Sequence, residues 1–257
     1  MKPIYKLGCL PHDPIKVARC VQAHDILNLS VLPETPAAFD WSQKDGTNLV
    51  YPMHGNNYAG DCVFASACHM LGTWTGQTGQ QEAITEAQAI DAYSRFTGYN
   101  PATGANDNGA VMLDVAKRWA KGENIAGHVI KAFVSVDTKR LDLVAAASNL
   151  FGGLWTGWAL PTAWQGADEW TAGPNTDGKW APYSWGGHAV QQTLYSPGML
   201  GIKTWTEDMP VTPAAWDTYC GEAYALISQD TWLRLAGACP AGVDLQKLID
   251  LLPVVGA

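Results

Sequence analysis

The sequence predicts an α+β protein with a helical first half, a second half made mainly of strands, and a cleft between the two. Small and apolar residues recur at helical spacing in three segments between residues 62 and 120. From about residue 128, short runs of β-branched and aromatic residues replace them. Because helices and strands are segregated along the chain, we expect a helical lobe packed on a mainly antiparallel, barrel-like β lobe.

Individual elements follow from periodicity and from polar starts. Val111, Val115 and Trp119 fall on one helical face, and Thr85-Glu86 gives the preceding helix a polar start. Helices are predicted near residues 15–24, 62–74, 85–96, 109–120 and 139–149, and strands near 128–136, 153–160, 188–195, 199–205 and 223–228.

Composition limits the classes of function. The chain has 257 residues, 47% of them hydrophobic and only 16% charged, which is enough for a large core and unlike a disordered chain. The net charge is -8 and no cluster of Lys and Arg appears, so we expect no nucleic-acid partner. No apolar run would span a bilayer, and none follows the basic N-terminus. We therefore expect no membrane partner and a cytoplasmic location in the producing cell.

Six cysteines are present, at positions 9, 20, 62, 68, 220 and 239. Without an export signal we expect reduced, mostly buried thiols rather than disulfides. The spacing lacks the tight ligand pairs of zinc sites, so no metal and no cofactor are expected.

Cys62 is the candidate nucleophile. It follows Gly60-Asp61 and opens a predicted helix, where free amide groups and the helix dipole favour a thiolate. A buried structural cysteine is the alternative for this motif taken alone.

His188 is the candidate base. It follows Gly186-Gly187 and opens an apolar strand, and the two glycines allow a backbone or a substrate to approach. A cysteine followed by a histidine roughly 130 residues later is the order found in papain-type enzymes.

Several further segments strengthen this comparison, and together they resemble the papain family of cysteine peptidases from about residue 32 to 228. Gly187-His188-Ala189-Val190 resembles the family's His-Ala-Val segment, and Ile202-Lys203-Thr204-Trp205 resembles its Val-Lys-Asn-Ser-Trp segment. The other matching segments are residues 33–41, 56–62, 85–88, 107–110 and 222–224. The combination also looks like uncharacterised papain-like proteins of bacteria, prophages and phages.

The resemblance implies a mechanism and its residues. Cys62 attacks a carbonyl carbon, and His188 holds the thiolate and later protonates the leaving amine. The side-chain donor of the oxyanion hole is Asn56 or Asn57, where the family has Gln.

The residue that orients the histidine departs from the family's pattern. The family's Asn is replaced, and either Thr204 or Lys203 falls at its place. Thr204 could accept a hydrogen bond from the ring, whereas lysine has no acceptor.

Substrate contacts are expected from Asn108, Gly109, Gly187 and Trp185. The last two lie at the end of residues 161–187, an irregular segment whose tryptophans we expect to wall the cleft.

Two other histidines and the N-terminal residues leave alternatives open. His54 is an alternative base, whereas His69 is expected to pack on the helix. Residues 1–31 form an arm that either covers the cleft or, as we expect, packs on the outside.

The expected organisation is an arm (1–31), a catalytic domain (32–232, helical to about 127 and β from about 128) and a C-terminal helical tail (233–257). The predicted function is thiol-dependent hydrolysis of amide or peptide bonds through an acyl-enzyme, on a protein, a peptide or a peptidoglycan stem peptide. The alternative is a weak or inactive papain-like module with structural or binding use, such as a phage virion component with assembly partners.

Overall fold

The computed structural model describes residues 5–27 and 34–228. The helical tail expected at 233–257 lies outside these residues. The helices are α1 (Pro14–Ala18), α2 (Ala23–Ile26), α3 (Cys62–Thr78), α4 (Glu86–Thr97), α5 (Met112–Ala120), α6 (Leu141–Phe151) and α7 (Pro213–Tyr219). The strands are β1 (Phe39–Asp40), β2 (Gln43–Lys44), β3 (Thr47–Asn48), β4 (Ile130–Ser135), β5 (Leu154–Leu160), β6 (Gly186–Ser196), β7 (Met199–Thr204), β8 (Glu207–Val211) and β9 (Cys220–Ser228).

One antiparallel sheet carries the second half of the chain. Its strand order is β4-β9-β5-β6-β7-β8, with β1 paired to β6, and β2 and β3 form a separate hairpin. Since β4 and β8 stand at opposite ends of this order, the sheet stays open in the described part of the chain. The predicted α+β class and the antiparallel sheet are confirmed, without closure of a barrel.

Helix α3 lies between the helices and the sheet and fixes the position of its first residue. It is buried along nearly its whole length, which its many small residues permit. Trp155 Nε1 of β5 donates to Ser66 Oγ at 2.7 Å, and Thr73 Oγ1 donates to Gln191 Oε1 of β6 at 3.0 Å. These buried bonds hold α3 across β5 and β6.

The arm and the end of the sheet differ from the predicted elements. The single helix predicted at 15–24 is two short helices, with Asp13 capping α1 through Ile15 N at 2.9 Å. Strand β8 and helix α7 were not predicted from the sequence. Proline at position 210 obscures the strand pattern of β8, and α7 is only one or two turns long.

The tryptophans of residues 161–187 were expected to line the cleft, and this expectation is wrong for two of them. Trp164 and Trp170 are buried and stack on each other with ring centroids 4.5 Å apart. Both pack against Trp158 of β5. They therefore anchor this long segment to the core.

None of the helices among the described residues is long and apolar enough to cross a membrane.

Candidate active site

Cys62 is the first residue of α3 and lies directly against β6. Its thiol accepts a hydrogen bond from the Ala189 amide at 3.4 Å. The four unpaired amides of a helix start and the helix dipole favour a negative charge at this position. The predicted helix-start environment of Cys62 is therefore present in the fold.

His188 lies on β6, one residue before Ala189, and is held on two sides. Its Nε2 lies 2.8 Å from Thr204 Oγ1 at the end of β7. The ring of Trp205 stacks on the imidazole, with centroids 4.2 Å apart and planes 16° apart. Both contacts are in the interior, since His188 is only 1% exposed. The imidazole is consequently fixed in orientation.

The cysteine and the histidine line one small cavity, together with Asn56 and Thr204. The second ring nitrogen of His188, Nδ1, is buried and has no hydrogen-bond partner among the described residues. If Nε2 carries the proton that Thr204 accepts, Nδ1 is the basic nitrogen. The cavity thus combines a thiol with an oriented imidazole whose basic nitrogen is not hydrogen-bonded.

Lys203, the other candidate for the orienting position, also lines this cavity, but its ammonium group has other partners. Its ammonium pairs with Asp208 and lies 4.8 Å from the centre of the Tyr51 ring. Burial lowers the pKa of Lys203 to about 8. The structure brings Thr204, and not Lys203, to the imidazole.

The enclosed site favours uncharged groups. Burial raises the pKa of the Cys62 thiol to about 12, although the Ala189 and Gly8 amides act in the opposite direction. Burial also lowers the pKa of His188 to about 3, assisted by repulsion from His69. At neutral pH the enclosed pair is therefore thiol and imidazole, and not thiolate and imidazolium.

The cause of this enclosure is the N-terminal arm, which crosses the cleft directly above the thiol. The Gly8 amide is close enough to the thiol to lower its pKa. A Cβ on Gly8 would lie 1.8 Å from Gly60 O, so the two backbones are in direct contact. The expectation that the arm packs on the outside is wrong.

The arm is held by backbone hydrogen bonds to both sides of the cleft. Cys9 N donates to Gly187 O at 3.1 Å, on the β side. On the helical side, Ala110 N donates to Gly8 O at 2.8 Å and Leu10 N donates to Ala110 O at 2.9 Å. Gly187 has no room for a side chain here, because a Cβ would lie 1.9 Å from Cys9 O. A peptide backbone is thus already bound in the cleft, and it belongs to the protein itself.

The upstream end of the arm covers the aromatic side of the site. The Tyr5 ring stacks on Trp205 with centroids 4.6 Å apart. Lys6 pairs with Asp107 at 3.4 Å. Trp205 therefore lies between the arm and His188.

The two asparagines considered for the oxyanion hole are separated by the fold. Asn56 is 3% exposed and lines the cavity of Cys62. Its amide nitrogen donates to Lys6 O at 3.3 Å and to Ala59 O at 3.2 Å. Asn57 is exposed and does not line that cavity. The structure brings Asn56 to the site and leaves Asn57 at the surface.

The expected substrate-contact residues are only partly brought together. Gly187 and Gly109 both touch the arm, since a Cβ on Gly109 would lie 2.1 Å from Gly8 O. Trp185 packs on Trp205 with centroids 5.5 Å apart. Asn108 is exposed, and the arm hydrogen-bonds to Ala110 instead.

Of the other two histidines of this region, His69 lines the cavity of Cys62, but its ring is held by other partners. His69 Nε2 is 2.8 Å from Pro52 O, and the His54 ring packs on His69 with centroids 5.3 Å apart. Burial lowers the pKa of His54 to about 3 and that of His69 to about 4. His54 does not line the cavity of Cys62, so the structure does not bring it to the thiol.

Two residues that enclose the site, Trp205 and Gly8, were not predicted from the sequence. The position of Trp205 after Lys203-Thr204 matches the tryptophan of the family segment. Nothing local to Gly8 signals a place in the cleft, because chain reversal brings it there. In the described part of the chain, no group of His, Cys, Asp and Glu is arranged to hold a metal.

Comparison with solved structures identifies the fold. Xylellain, a cysteine protease from Xylella fastidiosa, matches with a TM-score of 0.62 at 13% identity, over 87% of this chain and 96% of that one. Procathepsin L2 from Tenebrio molitor larval midgut matches with a TM-score of 0.57 at 15% identity, over 87% and 78%. A Carica candamarcensis cysteine protease in complex with E-64 matches with a TM-score of 0.50 at 17% identity, over 75% and 98%.

The chain therefore has the papain-like fold, and its structural neighbours are papain-like cysteine proteases. At the sequence level, no protein-family model matches the chain and no curated protein does.

Proposed function

We propose that this protein is a papain-like cysteine peptidase that is latent while its N-terminal arm lies in the cleft. The observation that carries the proposal is the shared cavity of Cys62 and His188. There the thiol begins a helix and the imidazole is held through Nε2 by Thr204, with Nδ1 not hydrogen-bonded. This is the donor and acceptor arrangement that a nucleophile and its base require.

The chemistry would proceed in two steps. His188 Nδ1 takes the thiol proton while Cys62 Sγ attacks the carbonyl carbon of the scissile bond. The proton then passes to the leaving amine nitrogen, which leaves a thioester. Water, deprotonated by the same nitrogen, hydrolyses the thioester and releases the acid and the thiol. The amide of Cys62 and the side chain of Asn56 are the proposed donors to the oxyanion.

Latency follows from burial. The arm excludes water from Cys62 and His188 and fills the place of a substrate backbone. Displacing the arm would resolvate both groups, and the thiolate–imidazolium pair would then become accessible near neutral pH.

The second candidate is a papain-like module that stays closed and uses another surface for binding. Its support is the same arm, which bonds to both sides of the cleft and leaves the thiol and the imidazole uncharged.

The test measures the rate at which iodoacetamide alkylates Cys62 as a function of pH, with labelled sites identified by mass spectrometry. Three proteins are compared: the wild type, the Gly8→Ala variant, and the double variant Gly8→Ala, His188→Ala. E-64 serves as the larger, active-site-directed probe. A peptidase requires fast labelling of Cys62 in Gly8→Ala well below pH 8.5 and loss of that rate without His188. Labelling of Gly8→Ala at the rate of an ordinary thiol, unchanged by His188→Ala, would refute the peptidase and support the closed module.

A further inference from the structure

Asp107 is a carboxylate beside the cleft that the proposed mechanism does not use. It lies between α4 and α5, and its side chain is 14% exposed. One oxygen, Oδ1, accepts two hydrogen bonds, from the Gly60 amide at 2.8 Å and from Tyr93 Oη at 2.8 Å. The other, Oδ2, accepts a bond from Lys6 Nζ of the arm at 3.4 Å. The carboxylate thus connects three parts of the chain.

The first connection is to the loop that precedes the nucleophile. Gly60 lies two residues before Cys62, so the bond to its amide fixes the backbone where α3 is about to begin. A Cβ on Gly60 would lie 3.0 Å from Asp107 Oδ1, so the absence of a side chain lets the carboxylate come this close. Hydrogen bonds from an amide to an ionised carboxylate are stronger than those between neutral groups. Asp107 therefore holds the loop that presents the thiol.

The second connection is to the edge of the cleft and runs through Tyr93, a fully buried residue of α4. Its Oη donates to Asp107 and accepts a bond from the Gly109 amide at 2.9 Å. Burial and the bond to Asp107 raise the pKa of Tyr93, so the phenol keeps the proton that it donates. Gly109 precedes Ala110, whose amide and carbonyl groups already bind the backbone of the arm. Asp107 therefore also holds the edge on which a peptide backbone lies.

The third connection, to Lys6, is the weak one. The Lys6 side chain is half exposed, and ion pairs of this kind contribute little. The bonds to Gly60 and Tyr93 are partly buried and involve the other carboxylate oxygen. They are therefore available in the open protein, after the arm has left the cleft.

We infer that Asp107 is a positioning residue, which holds the Cys62 thiol in a fixed position relative to the Ala110 edge that binds the substrate backbone. The inference rests on the proposed peptidase function. Residues 59–61 and 107–109 lie outside the helices and strands, so hydrogen bonds through the carboxylate fix their relative position. A displacement of about 1 Å between a nucleophile and its target can slow a reaction roughly 100-fold.

The test measures peptide cleavage by the full chain carrying Gly8→Ala and Lys6→Met, so that the arm is displaced and the ion pair is absent from every variant. Active sites are titrated with E-64, and kcat is expressed per titrated site, which removes any contribution from unfolded protein. We expect Asp107→Ala to lower kcat roughly ten- to 100-fold. Asp107→Asn keeps an acceptor oxygen at the place of Oδ1 and should retain kcat within about twofold.

Tyr93→Phe removes only the connection to the edge and should lower kcat roughly two- to tenfold. Added to Asp107→Ala, it should lower kcat no further, because the two residues act as one unit. Tyr58→Phe is the matched control. Tyr58 Oη also donates to a carboxylate at 2.8 Å, but that carboxylate belongs to Glu86 on the exposed side of α4, and kcat should not change.

An unchanged kcat in Asp107→Ala, or a fall that Asp107→Asn shares, would overturn the inference and leave the peptidase intact. If Asp107→Ala does not fold, the comparison of Tyr93→Phe with Tyr58→Phe decides. A lower kcat in Tyr93→Phe supports the inference, and equal values overturn it.

A failure of the proposed function gives a different result. Cleavage by the chain with Gly8→Ala and Lys6→Met that is no greater than that of the same chain with Cys62→Ala would overturn both the peptidase and the role of Asp107. If Gly8→Ala does not fold, Tyr5→Ala, which removes the stacking on Trp205, displaces the arm in its place.

Discussion

The Gly8 and Gly60 backbones touch directly above the Cys62 thiol: a Cβ on Gly8 would lie 1.8 Å from the Gly60 oxygen. Only glycine fits at position 8 while the arm lies in the cleft. The closed state therefore depends on a residue of the arm that takes no part in the proposed chemistry.

Gly8→Ala should open the cleft. The new methyl group meets backbone and not a flexible side chain, and overpacking of this kind costs roughly 1–3 kcal/mol. We expect the open population, and with it the rate of iodoacetamide labelling at Cys62, to rise roughly five- to 150-fold. Mass spectrometry of labelled Cys62 over time measures this rate.

Gly79→Ala is the matched control, because nothing lies within 4 Å of a Cβ at that position and its backbone is extended. Equal labelling of Gly8→Ala and Gly79→Ala would mean that the arm does not protect the thiol.

Gly187→Ala should open the cleft without allowing efficient cleavage of peptides. A Cβ at this position would lie 1.9 Å from Cys9 O, so the arm should again be displaced and labelling should rise. A bound peptide that follows the path of the arm would meet the same methyl group. In a fluorogenic peptide assay we therefore expect Gly187→Ala to cleave peptide much more slowly than Gly8→Ala. If the two variants cleave equally fast, substrates do not follow the path of the arm.

Thr204→Val should slow catalysis by releasing His188. The 2.8 Å hydrogen bond to the ring is lost while the shape of the side chain is kept. A bond of about 0.5–1.5 kcal/mol corresponds to a fall in kcat of roughly two- to tenfold. Both variants are measured in the Gly8→Ala background. Thr204→Ser should restore kcat, because serine also carries a hydroxyl group. If serine does not restore kcat, Thr204 acts through the packing of its side chain and not through the hydrogen bond.

Glu222 should make stability depend on pH. Its pKa rises from the usual 4.5 to about 7 on folding, so the folded state retains a proton that the unfolded state has lost between those values. The contribution of Glu222 to stability is therefore full below about pH 4.5 and decreases until pH 7. Relative to Glu222→Gln, the unfolding free energy of the wild type should fall by roughly 3 kcal/mol across this range.

Chemical denaturation at a series of pH values measures that difference. Burial lowers the pKa of the neighbouring His12, which titrates in part of the same range, so the comparison is repeated with His12→Ala in both proteins. A constant difference between wild type and Glu222→Gln from pH 4.5 to 7 would contradict the prediction.

The sequence alone predicted the class of fold and the two central residues. Helices α4 and α5 have a clear helical period, and β5, β6 and β9 have the apolar texture of strands, and such patterns can be read from neighbouring residues alone. Cys62 and His188 stand out through local motifs and their order along the chain.

Two short elements, and the choice between adjacent candidates for a site residue, could not be predicted from the sequence. The segment β8 contains a proline, and α7 is too short to show a period. The choices between Asn56 and Asn57, and between Thr204 and Lys203, were open in the sequence because adjacent residues point in different directions. Backbone geometry then brings Asn56 to the cavity and the Thr204 hydroxyl group to the imidazole.

The sequence by itself determined an α+β chain with a thiol at a helix start and a histidine at a strand start. Only the tertiary structure decided that the arm lies in the cleft and that Glu222 is buried beside His12 of the arm. Both facts depend on contacts between residues far apart in the chain, such as Gly8 with Gly60 and Gly157 with Glu222. Local periodicity reports which side of an element is buried, but it carries no information about which distant backbone covers that side.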